Sequence, residues 1–228
     1  SSYGNGSSDI YIVKTDGNGN EQWYQTFGGT SFDWGSSVQQ TTDGGYIITG
    51  GKDEGGNMEV YLIKTDGNGV EQWNKTFGGT SLDRGFSVQQ TIDGGYIVTG
   101  ETTSFVSGVY NVYLIKTDGN GNEQWSQTFG NLSGSGGCFV QQTTDGGYII
   151  TGSEGGYGGT QMDNYDVYLI KTDGNGNVTS TLDIPIQSLN RKLEKVVDIL
   201  GRETKPQPNT PFIKIYDDGS TEKKLVVE

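Results

Sequence analysis

The chain of 228 residues contains no histidine and a single cysteine. The missing imidazole removes Ser-His-Asp and Cys-His nucleophilic systems and histidine-ligated zinc. The lone cysteine excludes an intramolecular disulfide, and because Ser36 and Phe86 hold the positions equivalent to Cys138, its thiol reads as a small filler side chain. Basic residues are also scarce: 15 Lys and Arg face 28 Asp and Glu, a formal net charge of −13. Phosphate recognition is driven by clustered Lys and Arg, so nucleic acid and anionic membrane surfaces are not expected as partners. No apolar run approaches the roughly 18 residues needed for a membrane span. Residues Ser1 to Ser8 lack the basic and apolar regions of a signal peptide.

Proline is absent from most of the chain. All four prolines (Pro185, Pro206, Pro208, Pro211) follow residue 182, and the charge changes at the same place. Residues 1–182 carry 20 acids against 7 bases, and residues 183–228 carry 8 against 8. A domain boundary near residue 182 is therefore expected. Hydrophobic residues make up only 31% of the chain, whereas 39 residues are glycine. Such a chain turns often and buries apolar side chains in short segments, which suits an all-β fold of many short strands.

What is present is repetition. Tyr11, Tyr61, Tyr113 and Tyr168 stand at the same place in successive repeats, with spacings of 50, 52 and 55 residues. From each of the first three tyrosines to the threonine of the next Tyr-Ile-Ile/Val-Thr-Gly segment (Thr49, Thr99, Thr151) the distance is always 38. Only the following connection varies, so a constant block alternates with one variable loop.

Each block predicts four strands, A to D. Strand A is Ser37–Thr41 and strand B Tyr46–Gly50, joined by the tight-turn sequence Thr42-Asp43-Gly44-Gly45. Strand C, Val60–Thr65, is a nearly continuous apolar run that suits coverage on both faces. Strand D, Glu71–Phe77, carries Trp73 and Phe77 among polar residues and suits an outer position. Four short antiparallel strands per period of about 50 residues match one β-propeller blade. A β-solenoid needs shorter coils, and a sandwich does not need such faithful repetition.

The strand inventory is uneven. It begins with C and D, continues through two complete blocks, and ends with A, B and C, because Asn177 to Ile184 departs from the D pattern: Ser180 stands where Trp23, Trp73 and Trp125 stood. About three blades, an incomplete ring, are expected, and the missing A and B strands before Asp9 suggest the C-terminal piece of a longer array.

Blocks such as Val112–Trp125 followed by Gly146–Gly152 resemble repeats of secreted propeller-like proteins of Bacteroidetes and some archaea. The resemblance covers residues 9 to about 177 and implies a fold and an extracellular setting, without an activity.

The tail poses a conflict. Leu189, Leu193, Val196 and Leu200 have the spacing of an amphipathic helix, while residues 212–227 read as a hairpin with Asp218-Gly219 in the turn. Asp198, Leu200, Gly201, Arg202, Glu203, Lys223 and Lys224 are similar to the C-terminal sorting domains of the type IX secretion system. Their Asp-x-Leu-Gly-Arg-Glu element is a strand and their last residues form a Lys-Lys-apolar strand. This resemblance implies strands in place of a helix, contact with the secretion machinery, and the surface of a Gram-negative bacterium as destination.

Carboxylate pairs remain available for glycoside hydrolysis, but most acids recur at equivalent positions, such as Asp43, Asp93 and Asp145. A residue repeated in every block is expected to be structural, and the unrepeated acids form no recognisable constellation, so no catalysis is expected. The Asp-Gly-Asn-Gly-Asn runs place Asp16, Asn18, Asn20 and Asp118, Asn120, Asn122 at positions 1, 3 and 5, as calcium loops do. The glycine at position 6 and the glutamate at position 12 of an EF-hand are missing. A hairpin turn needs the same residues for backbone reasons, so no cofactor is expected, with calcium as the alternative.

In a meandering blade the B-to-C and D-to-A connections leave on one edge. That edge carries Tyr3, Phe105, Tyr110, Tyr157 and Met162 in the variable loops, with Phe32, Asp33, Trp34, Asp83 and Arg84 in the neighbouring ones. Aromatic faces and carboxylates suit sugar rings and their hydroxyls, so the leading expectation is an adhesion or carbohydrate-binding module recognising a glycan or surface polymer. The alternative is a non-catalytic accessory to a larger secreted enzyme encoded upstream.

Overall fold

A computed structural model describes residues 7–105, 109–130, 135–154, 166–184, 192–198, 201–205, 212–217 and 221–224. Among them every regular element is a strand. The chain divides into two compact units, Ser1–Ile184 and Pro185–Glu228.

The first unit opens with a two-stranded sheet, β1 (Ile10–Thr15) and β2 (Glu21–Phe27), followed by three antiparallel four-stranded sheets. These are β3 (Asp33–Gln40) to β6 (Glu71–Phe77) through β4 (Tyr46–Asp53) and β5 (Met58–Thr65); β7 (Asp83–Gln90), β8 (Tyr96–Thr102), β9 (Asn111–Thr117) and β10 (Glu123–Phe129); and β11 (Ser135–Gln142), β12 (Tyr148–Glu154), β13 (Asp166–Thr172) and β14 (Val178–Ile184). Each is a meander in which every strand pairs with its sequence neighbour. The expected all-β, blade-like fold is thus present.

Two boundaries differ from expectation. Strands A and B run further than their apolar cores, because a bulge between Gly35 and Ser37 lets pairing continue to Asp33↔Lys52, and the same bulge recurs between Gly85 and Ser87. Asp33, Trp34, Asp83 and Arg84 therefore lie on strands, not in loops. Residues 178–184 also form the fourth strand of the last sheet despite Ser180, pairing Val167↔Ile184 and Lys171↔Ser180. The tryptophans explain the departure. Trp23 packs against Tyr46 with ring centroids 5.6 Å apart, Trp73 against Tyr96 at 5.8 Å and Trp125 against Tyr148 at 5.8 Å, each indole reaching the next sheet. Strand pairing needs only backbone, so the strand survives where that contact is not made.

The core lies between consecutive sheets. Ile10 and Phe27 meet Ile48, Tyr61 and Ile63; Ile47, Val60, Leu62 and Phe77 meet Val88, Tyr96, Val98, Tyr113 and Ile115; Ile97, Val112 and Leu114 meet Val140, Tyr148, Ile150 and Ile170. The middle strands bury both faces, β8 and β9 along their whole length, whereas β6 and β10 are half-buried and open to solvent at their first two residues. One buried cation recurs: Lys64, 3% exposed, donates to Asp43, the Thr65 carbonyl and Gln72 at 2.8, 2.8 and 3.1 Å. Lys116 repeats this with Asp93, Thr117 and Gln124. A buried ammonium is tolerated because all three of its protons are used.

The second unit holds a three-stranded antiparallel sheet in the order β15 (Leu193–Asp198), β16 (Phe212–Tyr216), β17 (Thr221–Lys224). Lys223 and Lys224 pair through their backbones with Ile213 and Phe212. Where helical spacing competed with the strand reading, strands form. Among its described residues Val197 and Phe212 are the buried apolar side chains, and Leu200, Asp218 and Gly219 lie outside the described residues.

Candidate functional site

The connections between sheets meet the B-to-C connections on one edge of the first unit. The Asp53 N–H donates to the Phe32 carbonyl at 3.2 Å and the Thr103 N–H to the Leu82 carbonyl at 2.8 Å. The Ser81 N–H donates to Ser104 Oγ at 3.1 Å. On this edge Phe32 is 48% and Phe105 52% exposed. The Phe105 ring lies 5.4 Å from that of Tyr113, and the two line a depression of about 250 Å³ with Ser126, Gln127 and Thr128.

The other described residues expected there make contacts within the fold. Trp34 lies 6.0 Å from the Phe86 ring of the next sheet and over Gly51, where a side chain would strike its indole. Arg84 pairs with Glu101 at 2.9 Å; burial pushes the Glu101 carboxyl up, and the guanidinium opposes it. The Tyr110 carbonyl accepts from the Ser135 N–H at 2.6 Å. Tyr3, Tyr157 and Met162 lie outside the described residues.

Asp33 and Asp83 are fully buried. Asp33 accepts from the backbones of Gly29 and Asp53, and Asp83 Oδ2 accepts from the Gly79 N–H at 2.8 Å and Ser104 Oγ at 2.7 Å. Each aspartate meets a second oxygen-bearing side chain contributed by the preceding sheet. Asp83 Oδ2 and Glu59 Oε2 both lie within 2.7 Å of the point a Cβ on Gly78 would occupy. Asp9 Oδ1 and Asp33 Oδ2 converge on Gly28 within 2.6 Å, and Asn111 Oδ1 and Ser135 Oγ on Gly130 within 3.0 Å. Burial, and then the charges of Asp83 and Glu54, push the Glu59 carboxyl above its ordinary value. The sequence reading overlooked Asp9, Glu59 and Asn111. The signal was an oxygen-bearing side chain two positions ahead of each repeat tyrosine, Asp166 included.

The Asp-Gly-Asn runs form turns in which the carboxylate is engaged by its own backbone. Asp118 Oδ1 accepts from the Asn120 and Asn122 N–H groups at 2.9 and 2.8 Å, and Oδ2 from Asn122 Nδ2 at 2.9 Å. Asp16 does the same with Asn18 and Asn20. Asp66 keeps the backbone bonds with Val70 in the last position. The Asn20 and Asn122 hydrogen bonds hold the Asp16 and Asp118 carboxyls below their ordinary value.

The same turn occurs in the tail. Asp198 accepts from the Arg202 N–H at 3.0 Å and from Arg202 Nε at 2.8 Å, and Gly201, at φ +80°, takes the left-handed position. The segment expected as one strand therefore ends at Asp198, turns, and returns so that Glu203 bridges Val197. The turn needs a carboxylate at its first position and glycine at its fourth, and both interrupt extended pairing.

Comparison with protein-family models gave no match, and comparison with curated proteins gave none.

Proposed function

We propose that the chain is a non-catalytic binding and adhesion module built of β-propeller-type repeats, secreted or displayed at the surface of a Gram-negative bacterium, and that its loop edge recognises a neutral or cationic partner of the glycan or surface-polymer class. The observation that carries this reading is the division of labour in the repeat. The packed sheets keep their length, whereas the B-to-C connection varies and stands on the edge where Phe32 and Phe105 are exposed. Loops on a rigid scaffold are where recognition resides, and flat apolar rings beside hydroxyl-bearing side chains suit sugar stacking. The recurrence of the acids at structural positions supports a module without catalysis, and the likeness of the tail to a sorting domain supports export.

The test is a glycan-array screen of the full chain beside Phe32→Ala and Phe105→Ala variants, whose exposed rings can be removed without opening a core. Binding that weakens about tenfold or more in a folded variant supports the reading. An absence of ligands, or profiles identical to wild type, removes this edge from consideration.

A further inference from the structure

Strand β1 occupies the place of strand C in a sheet that has only C and D. In the three complete sheets strand C lies between B and D, whereas among the described residues β1 pairs with β2 alone. Its other side presents a row of unpaired backbone groups beside a groove of about 170 Å³ lined by Ile10, Ile12, Gly35, Val38 and Ile48. Every residue from Val60 to Thr65 of β5 is buried, but in β1 only Ile10 is.

Three side chains around this edge lack what their counterparts have. Val88 shares a core with Ile47 of the preceding strand B, and Val140 with Ile97; they are 5% and 8% exposed, whereas Val38 is 54% exposed. Lys64, Lys116 and Lys171 pair with Asp43, Asp93 and Asp145 of the A-to-B turns at 2.8, 3.0 and 3.0 Å. Lys14 holds the equivalent position and forms no ion pair among the described residues. Its ammonium stands 6.0 and 5.9 Å from the Trp23 and Tyr46 rings. Gln90 and Gln142 each make two hydrogen bonds across a seam, whereas Gln40 turns to the Gly44 carbonyl of its own hairpin, at 3.5 Å. A single element would supply all three: a hairpin whose strand B covers Val38, whose turn aspartate meets Lys14 and whose strand A clasps Gln40.

We propose that the open edge of β1 is the docking site for a further A–B hairpin of this repeat type, with the sequence Val-Gln-Gln-Thr-x-Asp-Gly-Gly-Tyr-Ile-Ile/Val-Thr-Gly that begins at Val38, Val88 and Val140. A strand added to a sheet edge gains affinity from main-chain hydrogen bonds and specificity from its alternate side chains. The register follows from the other sheets. The hairpin tyrosine stands opposite Thr15 and the next residue opposite Lys14, as Tyr46 and Ile47 stand opposite Thr65 and Lys64. Lys14 makes the edge selective for a turn that carries a carboxylate. The second glycine of the turn is part of the fit, because a Cβ on Gly45 would strike the Thr65 carbonyl and Lys64 Nζ, and Gly95 and Gly147 repeat this. The occupant is not one of the three hairpins of a second copy, since β3–β4, β7–β8 and β11–β12 are each paired with their own strand C.

The probe is a labelled peptide of the Ser37–Gly50 sequence, titrated against the full chain at neutral pH and followed by fluorescence anisotropy. Saturable binding at one site per chain is expected. Gly45→Ala in the peptide, a position without positive φ, is expected to weaken binding about tenfold or more. Val38→Asp in the chain, at an exposed position, is expected to do the same. Asp43→Asn in the peptide is expected to weaken binding to the wild-type chain about threefold and to leave binding to Lys14→Met unchanged. Because an isolated hairpin is marginally stable in water, the same hairpin is also fused directly ahead of Ser1. Nine residues then precede Ile10, as nine separate Gly50 from Val60, and the effective concentration is high. The fused chain is expected to unfold several degrees higher, a gain that Gly45→Ala in the added hairpin removes. Failure of both arms overturns the proposal, as does binding or stabilisation that survives Gly45→Ala and Val38→Asp. Self-association of the unaltered chain that Val38→Asp abolishes makes a second copy the occupant and overturns it as well.

Discussion

Gln39 and Gln90 clasp two neighbouring sheets: Gln39 Oε1 accepts from the Gln90 N–H at 2.6 Å, and Gln90 Oε1 accepts from the Thr42 N–H at 2.8 Å. Gln89 and Gln142 repeat the clasp across the next seam, through the Gln142 and Ile92 N–H groups at 2.6 and 2.9 Å. Gln39 and Gln89 thus give a partner to the neighbouring strand A, and Gln90 and Gln142 reach back to the turn that follows the preceding one.

Removing an acceptor is therefore expected to cost more where the donor is less exposed. Gln39→Ala strands the half-buried Gln90 N–H and is expected to destabilise by roughly 1–2 kcal/mol. Gln90→Ala frees the exposed Thr42 N–H to water and is expected to cost less. Urea midpoints of the two variants check the order, and equal midpoints would contradict it.

The lysine network predicts an acid response. Burial raises the Asp93 carboxyl, but the hydrogen bonds from Thr91 and Lys116 outweigh it and bring it down to about 2 from an ordinary 3.8. The Lys64 and Thr41 hydrogen bonds hold Asp43 well below the carboxylate range, and those of Thr143 and Lys171 do so for Asp145. A folded value below the unfolded one means that the unfolded chain binds more protons, so the stabilisation is complete above the ordinary value and is lost as pH falls toward about 2. Denaturant midpoints measured from pH 6 to pH 2 are expected to fall, and the fall is expected to be shallower in Asp93→Asn.

The turns distinguish a carboxylate that is needed from an amide that is not. Because Val70 already ends the second turn with the same backbone bonds, Asn122→Val is expected to leave the melting temperature within about a degree of wild type. Asp118→Ala removes three hydrogen bonds at once and is expected to lower it clearly more. Thermal unfolding of the two variants decides this.

If the tail acts as a sorting signal, a reporter fused ahead of residues 188–228 is expected to leave a host that has type IX secretion. Arg202→Ala, which removes the side-chain bond to Asp198 but leaves the strands, tests whether the turn itself is read. Periplasmic retention of the unaltered fusion, while a known sorting domain is exported in parallel, would end the sorting proposal.

The repeat, its four strands and the identity of the variable loop were legible in the sequence because each is a local property: alternation, turn chemistry and spacing are carried by neighbouring residues. Tertiary structure decided where those strands end and what their terminal residues do. Asp33 and Trp34 look like loop residues in sequence because the bulge at Gly35 breaks the alternation, yet the strand resumes beyond it. Ser180 hid a strand because the tryptophan at its position serves the next sheet and not its own. The convergence of Glu59 with Asp83 was invisible for the same reason: the residues are far apart along the chain, and only the packing of one sheet on the next brings their carboxylates to a single glycine.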